Sequence, residues 1–491
     1  MKRYIGADLG TSGLKLLLVN ETGAIENQVT KTYDVSYPAP GWSEQNPEDW
    51  WKAFLAGVKE LISGVDPATV CGIGVGGQMH GLVVLDESDA VLRPAILWND
   101  GRTAAQTAYL NGTVGEDFLA RATANMAFAG FTAPKVLWMK ETEPDLFARI
   151  EKVMLPKDYL NYRLTGVHCT DYSDASGLLL LDVEHKRWSR EMLEICGLRE
   201  EQMPALYESF APVGVLKAEV AAALGLEQIP VVAGAGDNAA AAIGTGTVEP
   251  GKCNISLGTS GTVFIPYEKF SPTENRSIHN FCHANGKYHL MGCILSAASC
   301  NKWFCEDILG TDDYAAEQAG ISDEDLGRNH VYFLPYLMGE RSPVNDTDAR
   351  GIFLGMRADT KRKDMTLSVL EGVAFAIRQN VEIARAMGVE ITRSTVCGGG
   401  ARSELWCRIL SNVLKIPLDL PKTEEGPGYG GAMLAMVGTG LYESTEACAK
   451  ALLSVRGTVL PDPEIAARYE EKYRKFEKIY PAVKPLFGDG E

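Results

Sequence analysis

No Cys-x-x-Cys occurs in this chain, and its 11 cysteines are an odd number that cannot all pair. The thioredoxin-type redox motif is therefore absent, and no His/Cys grouping has the spacing of a structural zinc site. Cysteines such as Cys71, Cys253 and Cys397 lie in apolar or small-residue runs and read as reduced core thiols. Basic charge is also short. Lys and Arg number 47 against 64 Asp and Glu, a net charge of −17. That argues against nucleic acid and anionic membranes as broad partners, while leaving room for one basic pocket around an anionic ligand. There is no long uninterrupted apolar segment and no signal-like opening, so a soluble, cytoplasmic protein is expected. No Gly-Lys-Ser/Thr closes a glycine loop in the Walker A manner, and no clean dinucleotide fingerprint is present. These absences set aside a P-loop nucleotidase and an NAD-dependent dehydrogenase.

What is present is a strand–turn–strand pattern that occurs twice. At 491 residues the chain has room for two domains or more, and 46% hydrophobic with 23% charged residues is ordinary for a globular protein. Tyr4-Ile5-Gly6-Ala7-Asp8-Leu9-Gly10-Thr11-Ser12-Gly13 is a short apolar strand, an acid, and a turn of glycines and small hydroxyls. Residues 2–9, 14–20 and 24–35 read as three strands joined by turns. Asn46-Pro47-Glu48-Asp49 starts a helix, with a capping Asn, Pro at the first position and acids in the first turn. Trp50, Phe54 and Val58 carry it to about Ser63. Strands at 70–75 and 82–85 flank Gly76-Gly77-Gln78-Met79-His80-Gly81, and helices follow at 102–110 and 134–140. A buried strand at 231–233 delivers Asp237 through the glycine-flanked turn Gly234-Ala235-Gly236.

The second half restarts the pattern. Residues 253–264 are again strand, Gly/Thr/Ser turn, strand. Residues 395–397 run into Gly398-Gly399-Gly400, followed by a helix at 405–414. The expectation is two related α/β domains facing one another, 1–247 and 248–491, with a boundary near residues 244–251. Gly244, Gly246 and Gly251 there offer hinge freedom. Residues 464–480 are expected to form a charged amphipathic helix, solvated on the surface and stopped by Pro481.

Three glycine turns, at 10–13, 258–261 and 398–400, can present backbone amides to phosphate oxygens, with small hydroxyls as further donors. Any one of them alone is more often a plain hairpin or βα turn; the argument lies in their combination. Two acids at strand ends, Asp8 and Asp237, suit a cleft where phosphate chemistry occurs.

Together these features resemble the sugar kinase/actin/chaperone ATPase superfamily. Gly130-Phe131-Thr132-Ala133-Pro134-Lys135-Val136-Leu137-Trp138 is similar to the first signature of the FGGY carbohydrate kinases, and Gly351-Ile352-Phe353-Leu354-Gly355-Met356 to the second. Gly236-Asp237-Asn238 matches the family's catalytic acid, and Leu334-Pro335-Tyr336-Leu337-Met338-Gly339-Glu340-Arg341 is another family stretch. Gly77-Gln78-Met79-His80-Gly81 is similar to the xylulokinase branch, where glycerol kinases carry an Arg-Glu pair. The resemblance spans residues 4–438. It implies two duplicated ribonuclease-H-like (actin-like ATPase) domains with a cleft between them, and ATP-dependent phosphorylation of D-xylulose to D-xylulose 5-phosphate.

In that reading Asp237 is the general base and Asp8 holds Mg²⁺. Thr11, Ser12 and Lys15 meet the terminal phosphates, Gly258 and Thr259 the β-phosphate side, and Gly399, Gly400 and Glu404 the adenosine. Met79, His80, Trp98, Asp237 and Asn238 bind the sugar. The rivals are another FGGY specificity, such as ribulose or gluconate, and a non-sugar ATPase of the actin/chaperone type. Family members are often homodimers; no nucleic-acid or membrane partner is expected.

Overall fold

The computed structural model describes residues 1–423 and 425–488. Two seven-stranded sheets organise them, built on one plan. In the first sheet Arg3–Leu9, Gly13–Asn20 and Ile25–Thr32 form an antiparallel meander. Val70–Gly77 lies parallel to Arg3–Leu9 on its other side, and Pro230–Val232 is parallel to that strand. In the second, Gly251–Leu257, Gly261–Tyr267 and Tyr288–Ile294 form the meander. Ile391–Cys397 and Leu418–Pro421 extend it in parallel. This repeated plan is the duplicated actin-like architecture.

Apolar alternation explains the first layer. Ile5, Ala7, Leu9, Leu14, Leu16 and Leu18 are buried with Trp50, Phe54 and Val58 of the helix Pro47–Leu61. That helix starts where its sequence signals place it, with the Asn46 side chain accepting from Glu48 N (3.1 Å).

The opposite face of the first sheet is sealed by an element from the far end of the chain. The helix Gly426–Gly438 packs on Arg3–Leu9, on Val70–Gly77 and on the helix Asp237–Gly244. Backbone meets backbone there. A Cβ on Gly430 would lie 1.8 Å from Ala240 O, and one on Gly6 1.9 Å from Gly428 O. Gly244 belongs to the same crossing, since its Cβ would lie 2.3 Å from Gly426 O. This corrects the reading of Gly244 as a hinge: its missing side chain serves close helix approach. Gly246 (φ 75°) and Gly251 (φ 85°) do occupy the left-handed region.

A second seam joins the halves. The strand His279–Cys282 is the edge of the second sheet. Asn125 Nδ2 donates to Asn280 O and Asn280 N donates to Asn125 Oδ1, both at 3.0 Å, while Cys282 N donates to Ser176 Oγ (3.0 Å).

The C-terminal helix also corrects its sequence reading. Pro463–Phe476 is a core element, with Ile465, Tyr469, Tyr473 and Phe476 in the main cluster of the second half. Lys472 is buried and pairs with Glu371 of the helix Arg362–Ala386. The charges at 464–478 drew attention from a stripe of large side chains at 465, 469, 473 and 476, which is enough to dock a helix. Pro481 lies inside a short following helix, Ile479–Val483. Eight of the eleven cysteines are buried. Among the described residues no helix is long and apolar enough to cross a membrane.

Candidate active site

Strand register brings the two acids to one edge. Asp8 stands opposite Gly76 on one side of Val70–Gly77, and Ala235 stands opposite the same Gly76 on the other. Asp8 and the loop carrying Asp237 are thus two strand spacings apart, roughly 10 Å. Both carboxylates are partly exposed. Burial, then the Asp237 charge, pushes Asp8 up to about 7, with Lys15 opposing and Glu425 adding to the rise. Burial pushes Asp237 up to about 6, held back by bonds from Asn238 N (2.7 Å) and Asn238 Nδ2 (2.9 Å). An acid with that affinity for protons suits a base working near neutral pH.

Both hydroxyl-rich turns have their carbonyls tied backward. In the first, Tyr33 Oη donates to Gly10 O and Gln45 Nε2 to Thr11 O, each at 2.6 Å. In the second, Ala298 N donates to Gly258 O (2.8 Å) and Ala297 N to Thr259 O (2.9 Å). A trans peptide points its N–H opposite to its C=O. The amides of Thr11 and Ser12, and those of Thr259 and Ser260, are therefore aimed away from these anchors, and Ser12, Thr259 and Ser260 are exposed. Two turns with outward amides, one from each half, have the geometry that can take an anion.

The Thr11 hydroxyl is engaged sideways. It donates to Gln78 Oε1 (3.1 Å) and accepts from Trp98 Nε1 (2.9 Å). Trp98 is 46% exposed, so its ring is fixed by its N–H with a face left open. Gly130 of the first signature is a glycine because a Cβ would lie 2.3 Å from Trp98 O.

Met79 and His80 sit beside the acid-bearing loop. Met79 is buried, and a Cβ on Gly236 would lie 2.9 Å from its Cγ. His80 has φ 67°, an uncommon conformation for a residue with a side chain. Its carbonyl is clamped by Thr132 Oγ1 (3.0 Å) and by the buried Lys135 Nζ (2.7 Å). The ring stacks on Phe131, centroids 4.5 Å apart. Its Nδ1 lies 2.7 Å from Gly177 O, which can only accept, so Nδ1 carries the proton. Burial pushes the ring down to about 3, so it is neutral and Nε2 keeps its lone pair.

The remaining expected residues are less concentrated. Lys15 is ion-paired with Glu425, just ahead of the glycine-rich helix. Gly399 is exposed, whereas Gly400 packs on Leu257 and on the Trp406 ring. Glu404 is an exposed first-turn acid of the helix Glu404–Leu414, a place favoured by the helix dipole. Sequence reading missed Tyr33, Gln45 and Glu425. Gln45 sits directly before the helix-capping Asn46, and Gln78 lies inside the quoted Gly-Gln-Met-His-Gly stretch.

Known proteins resemble this chain over nearly its whole length. Residues 3–244 match the FGGY family of carbohydrate kinases, N-terminal domain, and residues 253–439 the C-terminal domain of that family. The xylulose kinase of Escherichia coli (strain K12) is 41% identical over 98% of this chain and 99% of its own length. That of Bacillus subtilis (strain 168) is 37% identical over 99% of this chain and 98% of its own. The crystal structure of a xyloylose kinase from Brucella ovis superposes with a TM-score of 0.92 at 41% identity, covering 99% of this chain and all (100%) of that one. With both halves matched and full-length relatives well above 30% identity, the chain belongs to the FGGY family of carbohydrate kinases.

Proposed function

We propose that this kinase transfers the terminal phosphoryl group of ATP to D-xylulose, giving D-xylulose 5-phosphate and ADP. The observation that carries the sugar assignment is the neutral His80 ring, whose Nε2 is left as an acceptor beside the Met79–Gly236 contact and the Asp237 loop. The names of the full-length relatives support the same substrate.

In this reading Asp237 accepts the proton of the terminal hydroxyl, O5, as the O5–phosphorus bond forms and the bond to the leaving ADP oxygen breaks. The outward amides of the two turns hold the phosphates in line. Trp98 offers its open face to the sugar carbons, and Asn238 steadies Asp237. Mg²⁺ fits the site: Asp8, Asp237 and Glu425 crowd negative charge together. Among the described residues, no group of three or more His, Cys, Asp or Glu side chains forms a cage of its own. Asp8 would hold the cation, since Mg²⁺ sites commonly use one or two carboxylates and keep several waters. Once bound, it supplies neutralisation of phosphate charge.

A panel of D-xylulose, D-ribulose, gluconate and glycerol in a coupled ADP-release assay tests the assignment. D-Xylulose is expected to give the highest kcat/KM. Faster turnover of another sugar would reassign the substrate, and ATP hydrolysis indifferent to every sugar would point to a non-sugar ATPase.

A further inference from the structure

Beneath the catalytic loop lies a fully buried ionic cluster that the reaction scheme does not use. We propose that Lys157, Asp171 and Ser173 are positioning residues, a tether that sets Asp237 by holding residues 233–236; the proposal rests on Asp237 being the base. Lys157 Nζ donates to Asp158 Oδ1 (2.7 Å) and to Ala233 O (3.1 Å), and it pairs with Asp171 Oδ1 (3.1 Å). Asn161 Nδ2 donates to the same Ala233 O (2.8 Å). The other Asp171 oxygen accepts from Ser173 N (2.9 Å), Ser173 Oγ (2.5 Å) and Ser209 Oγ (2.6 Å). Ser173 Oγ in turn accepts from Gly236 N (3.2 Å), the residue directly before Asp237. An unbroken chain of bonds thus runs from a buried ammonium to the peptide that carries the base, and a second grips the start of the loop.

Burying such a cluster is costly, and apolar packing would join this helix to the sheet at least as well. Apolar packing would not fix one carbonyl and one amide of a short loop in direction. The backbone makes room for the lysine: a Cβ on Gly77 would lie 2.8 Å from Lys157 Cβ. Asp174 completes the cluster 3.9 Å from Lys157, and neither of its buried oxygens has a hydrogen-bond partner. Burial pushes its carboxyl well above the usual carboxylate range, with the Lys157 charge opposing.

The charged and titratable groups around Asp237 are Asp8 across the cleft and Asp174 below, with Lys157 behind Asp174, and Lys15 and Glu425 beyond Asp8. Burial dominates what they feel, so a loosened loop admits water and lowers the Asp237 titration.

Ser173→Ala in the full-length chain tests this, since it deletes one oxygen and no charge. Expected are a fall in kcat of about tenfold or more, an ATP KM within about twofold of wild type, and an acid limb of the rate profile displaced to lower pH than in the wild type. Asp171→Asn is the second variant, expected to shift the same two readouts. Wild-type kcat and acid limb in Ser173→Ala would overturn the proposal. So would a loss of kcat that tracks a drop in melting temperature and a rise in ATP KM with the acid limb unmoved, which marks a structural role. Failure of both variants to fold would overturn it in the same way. Asp237→Asn run alongside separates the two ideas: transfer surviving in that variant removes the base assignment itself, whereas its loss beside a silent Ser173→Ala removes only the tether.

Discussion

Asp8 and Asp237 are carboxylates that hold protons more tightly folded than unfolded, at about 7 and about 6 against an ordinary 3.8. The folded chain therefore binds protons that the unfolded chain releases. Their effect on stability is favourable at low pH and is lost as pH rises through those values. Asp8→Asn removes a buried charge and its repulsion by Asp237, so it should raise the melting temperature at pH 8 and leave it unchanged near pH 4. After solvent screening in the open cleft the gain is about 1–2 kcal/mol. Differential scanning calorimetry at the two pH values checks this, and an equal shift at both would refute it. The same variant should lose Mg²⁺-dependent activity, a trade of stability for function. His80→Ala removes the proposed sugar acceptor while leaving the two glycine turns intact. The xylulose KM should rise by about tenfold or more, the scale of one lost hydrogen bond to a polar group, and the ATP KM should change little. Equal rises in both constants would contradict the assigned role.

Among elements, the glycine-rich helix Gly426–Gly438 shows most clearly what single-sequence reading reaches and what it does not. The hairpins around residues 10–13 and 258–261, and the helix capped by Asn46, were legible because turn chemistry and capping are local. The long-range partners of 426–438 were not, because Gly-Pro-Gly-Tyr-Gly-Gly reads locally as loop. Gly430, Gly431 and Gly438 of this helix are explained only by the Ala240, Gly74 and Phe210 carbonyls that they approach. The buried cluster around Lys157 was equally hidden, since its members at 157, 158, 171 and 174 look like ordinary surface charges until a sheet covers them. Asp8, Asp237, Met79 and His80 stood out because each follows a buried strand into a glycine-flanked turn. The helix crossing gives a test in which the sign decides. Gly→Ala inside a helix normally gains about 1 kcal/mol. Gly430→Ala should instead cost about 3 kcal/mol or more, because the atom in the way, 1.8 Å from the new Cβ, is a backbone oxygen. Chemical denaturation would measure the difference, and a stabilised variant would mean that the two helices stand farther apart.

At the scale of the whole molecule, two of the joints between the halves bear on their freedom to move. One is the helix crossing, where bare backbones touch. The other is the seam of Asn125 and Ser176 along the edge strand His279–Cys282. With Gly244 locked in the crossing, freedom between the halves is confined to positions such as Gly246 and Gly251 and to whatever the seam allows. Closure on substrates should therefore be a small rotation that narrows the gap between the two phosphate turns. Scattering should show a modest fall in radius of gyration when D-xylulose and a non-hydrolysable ATP analogue are both present, from a value near the roughly 23 Å expected for a compact chain of this length. Asn125→Ala deletes both bonds to Asn280 without touching the cleft. If the seam governs how well closure excludes water, this variant should hydrolyse ATP without sugar several-fold faster relative to transfer, with the xylulose KM little changed. An unchanged ratio of hydrolysis to transfer would leave the seam a purely structural joint and assign the exclusion of water to the turns themselves.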